Sequence, residues 1–329
     1  MLYYKPRNKK ERKYVVFASN TSYKINMELI TINGIQYYSF NGLEDIKKQM
    51  FKLLCMIDKI CRENNINYFL DGGTAIGALR HGGFIPWDDD LDISMLKPDY
   101  LKLISILKNM DKRQYFLFDY DLNTHCCSFF GEKIGLFSSE NGRKTGIYPI
   151  KIDIRPLNVI NNSEDELKKN RVFRELANYL IFGKCDNNYK DRINSLYKQF
   201  DSSRRKFFKY YNYEYGIEDV NGDVILVHPY MEYSTGKTYS LNDIFPLREI
   251  EFEGLKTLIP VSDKMLTDIY VQYMTLPKID NRKPEASKIF ISDKNVNILY
   301  KYLIDKSRRR VFNKLMFNIC VNSLVKEVI

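Results

Sequence analysis

Four aspartates fall within five positions in Asp88-Asp89-Asp90-Leu91-Asp92, and a fifth, Asp153, stands alone between isoleucines in Ile152-Asp153-Ile154. Asp90 and Asp92 are two apart on a predicted strand, so both side chains are expected on one face while Leu91 and Ile93 point to the core. Carboxylates held a few ångströms apart repel, and one is driven to protonate unless a cation intervenes. All-oxygen ligands suit Mg²⁺ or Mn²⁺. A lone aspartate in an apolar strand also needs a partner, because a buried unpaired charge is costly. If that strand lies beside the Asp90–Asp92 strand, three carboxylates converge. Metal-assisted phosphoryl transfer needs that arrangement: metals clamp phosphate oxygens and a carboxylate takes the proton of an attacking hydroxyl.

The aspartate run follows a second device, Asp71-Gly72-Gly73-Thr74, which joins a short strand at Tyr68-Phe69-Leu70 to a helix predicted over Ala75–His81. Glycines let a backbone approach a ligand closely, and N–H groups at a helix start attract phosphate. Most Gly-Gly-Thr turns are only turns, and most aspartate runs are solvated loops. Pro86-Trp87 before the run and apolar alternation after it tie this one to a core. Arg80 and His81 can serve an anionic donor, or brace the aspartates and cap the helix. Trp87 suits a core plug better than a base-stacking platform, and Arg282 a surface salt bridge better than a phosphate. His125-Cys126-Cys127 is poorly placed for one ion, because adjacent strand residues face opposite ways.

Several elements must position these groups. Met27–Phe40 reads as a hairpin around Asn33-Gly34. Asn41, with Glu44 three residues on, reads as a helix cap. Ile46, Met50, Leu53, Ile57 and Ile60 recur at helical spacing up to Asn64-Asn65. Pro98 suits a first helical turn. Strands are predicted at Leu91–Leu96, Tyr115–Tyr120, Cys126–Phe130, Lys133–Phe137 and Tyr148–Leu157. Ser163 to about Tyr211 is helical and charged, an insertion or a lid. Arg248–Pro260 turns at Gly254, a helix follows over Asp263–Met274, and Asp293 to the end is helical. Strands and helices mix without regular alternation, which favours an α+β architecture.

The 329 residues suggest about two domains, or one with a large insertion. Apolar residues at 44% and charged residues at 28% exclude a disordered tail, a fibre and a disulfide scaffold. The +10 charge favours anionic partners, although a solvated basic surface explains it equally well. The basic start has no apolar signal segment and no apolar run is long enough to span a bilayer. A cytoplasmic chain with reduced thiols is therefore expected. Arg308-Arg309-Arg310 and the apolar positions after it could lie peripherally on the inner face of an anionic membrane, or dock on the domain.

The run from Tyr68 to Ile93 resembles the core motif of the LicD-like phosphotransferases, which include phosphocholine and fukutin-type ribitol-phosphate transferases of the nucleotidyltransferase superfamily. Thr145-Gly146-Ile147 leading to Asp153, Phe252-Glu253-Gly254 and Tyr273-Met274-Thr275-Leu276-Pro277 resemble later parts, so the likeness spans roughly residues 41–282. It implies a polymerase-β-like catalytic core with a mixed sheet over residues 41–305, helical insertion at about 163–215. Residues 1–40 are then a hairpin extension and 306–329 a basic amphipathic helix. It implies a CDP-alcohol donor such as CDP-choline, a glycan or lipid-linked oligosaccharide acceptor, and release of CMP. By the same likeness Asp90, Asp92 and Asp153 are catalytic and hold Mg²⁺ or Mn²⁺, with Asp88 an outer ligand. Gly72, Gly73 and Thr74 then contact donor phosphates. Arg155 and Val271-Gln272 depart from the family pattern; neither is expected to touch the carboxylates, and both to shape the substrate pocket.

Two other activities use related parts. A nucleotidyltransferase acting on nucleic acid calls for a basic stripe with interleaved aromatics, whereas basic residues here are spread along the chain, so no nucleic-acid partner is expected. An Asp-x-Asp glycosyltransferase explains the aspartates but not the Gly-Gly-Thr helix before them.

Overall fold

The computed structural model describes residues 27–118, 127–133, 135–139, 146–183, 185–216, 223–227 and 238–291. Strands β1 (Glu28–Ile32) and β2 (Ile35–Ser39) form the expected hairpin, with Asn33 and Gly34 both at positive φ in the turn. Helix α1 (Leu43–Glu63) follows. Its apolar spacing buries Leu43, Ile46, Met50, Leu53, Leu54 and Ile57, each worth roughly 1.5–3 kcal/mol of transfer free energy. The predicted Asn41 cap does not form. Gly42, at φ 112°, is the cap residue without a side-chain hydrogen bond, and Glu44 accepts from Lys47 instead. The helix stops at Asn64, as expected.

Next come β3 (Phe69–Leu70), α2 (Gly72–His81), β4 (Asp92–Leu96) and α3 (Lys97–Lys108), the last with Pro98 in its first turn. Then follow β5 (Tyr115–Phe118), β6 (Ser128–Glu132), β7 (Gly135–Ser139), β8 (Gly146–Pro149) and β9 (Ile152–Asn161). The stretch expected as one strand over Tyr148–Leu157 is therefore two. β8 ends at Pro149 and pairs with β7 in a separate sheet, whereas β9 enters the main sheet. Three helices, α4 (Glu164–Phe182), α5 (Lys190–Gln199) and α6 (Arg204–Tyr213), fill the predicted helical segment. The chain returns through β10 (Val224–Val227), β11 (Thr238–Tyr239) and α7 (Leu241–Ile244). A hairpin of β12 (Arg248–Phe252) and β13 (Leu255–Ile259) turns at Gly254. α8 (Lys264–Tyr270) ends four residues earlier than expected, at Val271, whose positive φ of 51° no α-helix continues. β14 (Ala286–Ile291) pairs with β7.

The main sheet runs β11-β10-β9-β4-β3, with β6 also on β9 and β5 on β6. Only the β4–β9 pair among these is parallel, so the sheet is mixed and the architecture is α+β. β9 is central. Its first half lies between β4 and β6, and its last four residues pair with β10. Strand alternation sorts its side chains. Ile152 and Ile154 enter the core with α1 and α3, while Asp153 and Arg155 face the other way. Ile160 shares the face of Ile152 and Ile154, and the aromatic cluster of α4–α6 packs on it. The helical segment thus packs on the sheet face opposite Asp153. The fully buried Lys97 fixes it, donating to the carbonyls of Tyr211 (3.2 Å) and Asn212 (2.9 Å). No helix among the described residues is long and apolar enough to cross a membrane. The segment expected as a C-terminal helix, His125-Cys126 and Thr145 lie outside the described residues.

Candidate functional site

The Gly-Gly-Thr segment is the first turn of α2, not a turn before it. Asp71 caps the helix, its Oδ1 accepting from the Gly72 N–H at 2.7 Å and its Oδ2 from the Ser94 hydroxyl at 2.5 Å. Asp71 is therefore structural at both oxygens. The Asp92 N–H donates to Thr74 Oγ1 at 2.9 Å, and the Asp71 N–H to the Asp92 carbonyl at 3.1 Å. The glycine-bearing turn and the first residue of β4 are thereby fastened together.

The two aspartate strands do lie side by side. β4 and β9 are parallel neighbours with Asp92 opposite Asp153, and the Asp153 N–H donates to the Leu91 carbonyl at 2.9 Å. The expectation for Asp90 is not met: β4 begins at Asp92, and Asp90 is an exposed loop residue before it. The loop is shaped by the Asp88 N–H donating to the Ile85 carbonyl at 2.9 Å and by Asp89, whose buried carboxylate accepts from the Ala286 N–H. Asp89 is thus a tie to β14. Lys47 of α1 holds the start of the loop, donating to the Pro86 carbonyl at 2.7 Å.

Charge is concentrated here. Burial pushes Asp88 well above the usual carboxylate range, and Asp90, Asp89 and Asp92 add to it, Asp90 also through a hydrogen bond. Burial also drives Asp92 up; Arg155 opposes this, and Asp90, Asp153 and Asp71 reinforce it. Arg155 was not expected to touch the carboxylates, yet its Nη2 lies 2.7 Å from Asp92 Oδ1 and its Nη1 3.9 Å from Asp71 Oδ2. The Lys151 ammonium pairs with Asp153 in the same way. Spacing held the missed signal: residues 151, 153 and 155 alternate onto one face of a strand. Among the described residues no three carboxylate, thiol or imidazole groups close around one point; Asp153 and Asp92 are paired with Lys151 and Arg155.

Both glycines sit where a β-carbon would crowd charged side chains. A β-carbon on Gly73 would meet Asp88 Oδ2 at 2.8 Å, and one on Gly72 would lie 3.3 Å from Asp92 Oδ2, 3.4 Å from Arg155 Nη1 and 3.4 Å from the Tyr270 hydroxyl. Tyr270 is a further residue at the site that carried no sequence signal.

Arg80 donates from Nε to His81 Nε2 at 3.0 Å and from Nη1 to the carbonyls of Tyr273 (2.6 Å) and Thr275 (3.1 Å). It thus braces the segment after α8. Burial, Arg80 and Lys47 lower the His81 pKa to about 4, so His81 is neutral and accepts. Trp87 is a core plug as expected, buried against Tyr37 and His81. The Arg282 guanidinium lies 5.8 Å from the Trp87 ring centroid, and its Nε donates to the Pro277 carbonyl.

Residues 65–175, which contain both aspartate strands and the glycine turn, match the family described as LicD/FKTN/FKRP, nucleotidyltransferase domain. The chain carries a LicD family domain. The wider LicD likeness extends well past it. The lipopolysaccharide cholinephosphotransferase LicD of Haemophilus influenzae is 26% identical over 263 residues, which is 73% of this chain and 95% of that protein. The ribitol 5-phosphate transferase FKRP of Homo sapiens is 47% identical over 34 residues, 10% of this chain and 7% of that one.

Proposed function

We propose that this LicD-domain protein is a metal-dependent transferase that moves a phospho-alcohol group, such as phosphocholine, from a CDP-alcohol to a sugar hydroxyl of a cell-surface glycan or its lipid-linked precursor. The observation that carries the reading is Asp92 opposite Asp153 on parallel strands, against the glycine-bearing first turn of α2. The likeness to a cholinephosphotransferase over most of both chains supports the transferred group.

The donor set is oxygen only, and Asp92, which is buried, and Asp88, which is half-buried, are both driven toward protonation. More negative charge is thus gathered than Lys151 and Arg155 offset, and a hard divalent cation suits such a place. Asp88, Asp90, Asp92 and Asp153 would hold Mg²⁺ or Mn²⁺, which supplies charge neutralisation at the phosphates. The backbone of Gly72 and Gly73 lets the donor phosphates come close to the α2 N-terminus. The acceptor oxygen bonds to the phosphorus bearing the alcohol, the bond from that phosphorus to the CMP oxygen breaks, and Asp153 takes the hydroxyl proton. The polymerase-β-like core inferred from sequence accords with the mixed sheet.

Incubation of the full chain with CDP-alcohols, a glycan acceptor and Mn²⁺, followed by nucleotide chromatography, tests this reading. CMP release that is lost in D92N and D153N, with the fold retained by circular dichroism, is expected. Release of UDP or GDP from nucleotide sugars in place of CMP would refute it.

A further inference from the structure

β9 and the residue before it carry a cation on each side of the strand's carboxylate. Lys151, Asp153 and Arg155 share one face; Lys151 pairs with Asp153, and Arg155 pairs with Asp92 and lies 3.9 Å from Asp71. The four side chains are 18% (Lys151), 15% (Asp153), 6% (Arg155) and 4% (Asp92) exposed, so these are not surface pairs. Lys151 is further held over the Phe129 ring, 4.1 Å from its centroid, on the neighbouring strand. A buried carboxylate needs a counter-charge, and loss of one partner leaves the other uncompensated. In the structure, Arg155 and Lys151 supply that charge.

A divalent cation at Asp92 and Asp153 would supply it instead. The two basic groups would then lie beside the metal, on the face where an anionic donor arrives. Arginine's planar fork matches phosphate oxygens in pairs, and lysine's ammonium serves as a point charge. We propose that Lys151 and Arg155 are exchangeable counter-cations. They hold the carboxylates when no metal is bound, yield them to the metal, and turn to the phosphates of the donor. This rests on the divalent cation and pyrophosphate donor of the proposed function.

The exchange makes two expectations of opposite sign. Competition with the metal ends when the cation is removed, so R155M and K151M should each bind Mn²⁺ about tenfold more tightly than wild type. The same variants, saturated with Mn²⁺, should bind CDP about tenfold more weakly. Titration calorimetry of the full chain with Mn²⁺ alone, and then with CDP, reads both. R155K should fall between wild type and R155M in each. A residue that only supports the fold would weaken both affinities together. R155M removes a deeply buried partner and lowers stability, so K151M carries the same two expectations at a more accessible position. Mn²⁺ affinity that is unchanged or weaker in K151M and in folded R155M overturns the exchange, as does CDP affinity that fails to drop. A wild-type chain that binds no Mn²⁺ overturns the metal-dependent reading as well, which separates the two failures.

Discussion

Thr74 Oγ1 accepts a hydrogen bond of 2.9 Å from the buried backbone N–H of Asp92. This hydroxyl, with the Asp71 N–H donating to the Asp92 carbonyl, ties the first turn of α2 to the first residue of β4. In T74V the shape is kept and the Asp92 N–H is left unsatisfied, at a cost of about 1–3 kcal/mol. Urea denaturation should show that loss, and T74S should recover most of it. Equal midpoints for T74V and wild type would contradict the role.

Two glycines of α2 should fail in different ways when changed to alanine. A β-carbon at Gly77 meets the Gly83 carbonyl at 2.4 Å and the Ile85 nitrogen at 3.1 Å, all backbone. G77A should lose on the order of 2 kcal/mol of stability, despite alanine's better helix propensity. At Gly73 the close atom is the Asp88 carboxylate, which can swing aside. G73A should therefore melt near wild type and lose CMP release by about 10- to 100-fold, since small displacements at a reacting centre are costly. Thermal melting beside a turnover assay separates the two.

His81 makes stability fall in acid. Its folded pKa, about 4, lies below the ordinary value of 6.5. Between those values the unfolded chain binds more protons than the fold, so stability drops as pH falls from 6.5 toward 4 and is flat above. The contribution is on the order of 1 kcal/mol after solvent screening is allowed for. H81N keeps an acceptor for Arg80 and should flatten this part of a stability–pH curve. A curve with the wild-type slope would contradict it.

Cys61 should be chemically silent. Burial, with Asp58 and Asp99 nearby, pushes its thiol up to about 12, and the thiolate is the reactive form. Iodoacetamide at pH 8 should leave Cys61 unmodified in the native protein and alkylate it in urea, read by peptide mass spectrometry. Native-state labelling at Cys61 would show that α1 is less tightly packed than described.

Local signals made much of this legible in sequence. Asn33-Gly34 and Gly254 marked hairpins because only certain residues tolerate their backbone angles. The α1 stripe marked a helix because one face had to be apolar. The cost of a buried charge calls for a partner to Asp153, and the register sets it opposite Asp92. What sequence reading missed was decided at a distance. Asp90 was expected on the strand, but the loop is tied through Asp89 to Ala286, 197 residues away. The Tyr148–Leu157 stretch reads as continuous because nothing local says that its halves join different sheets. Arg155 looked remote from the carboxylates until the parallel register set it beside Asp92.

The chain leaves β9 after Asn161 and re-enters the sheet at Val224, directly across from it. The helices between these points thus form a detour with adjoining ends, hung from the end of β9 away from Asp153. Both ends of the detour therefore meet at one edge position of the sheet, while the pairing that sets Asp92 opposite Asp153 lies at the other end of β9.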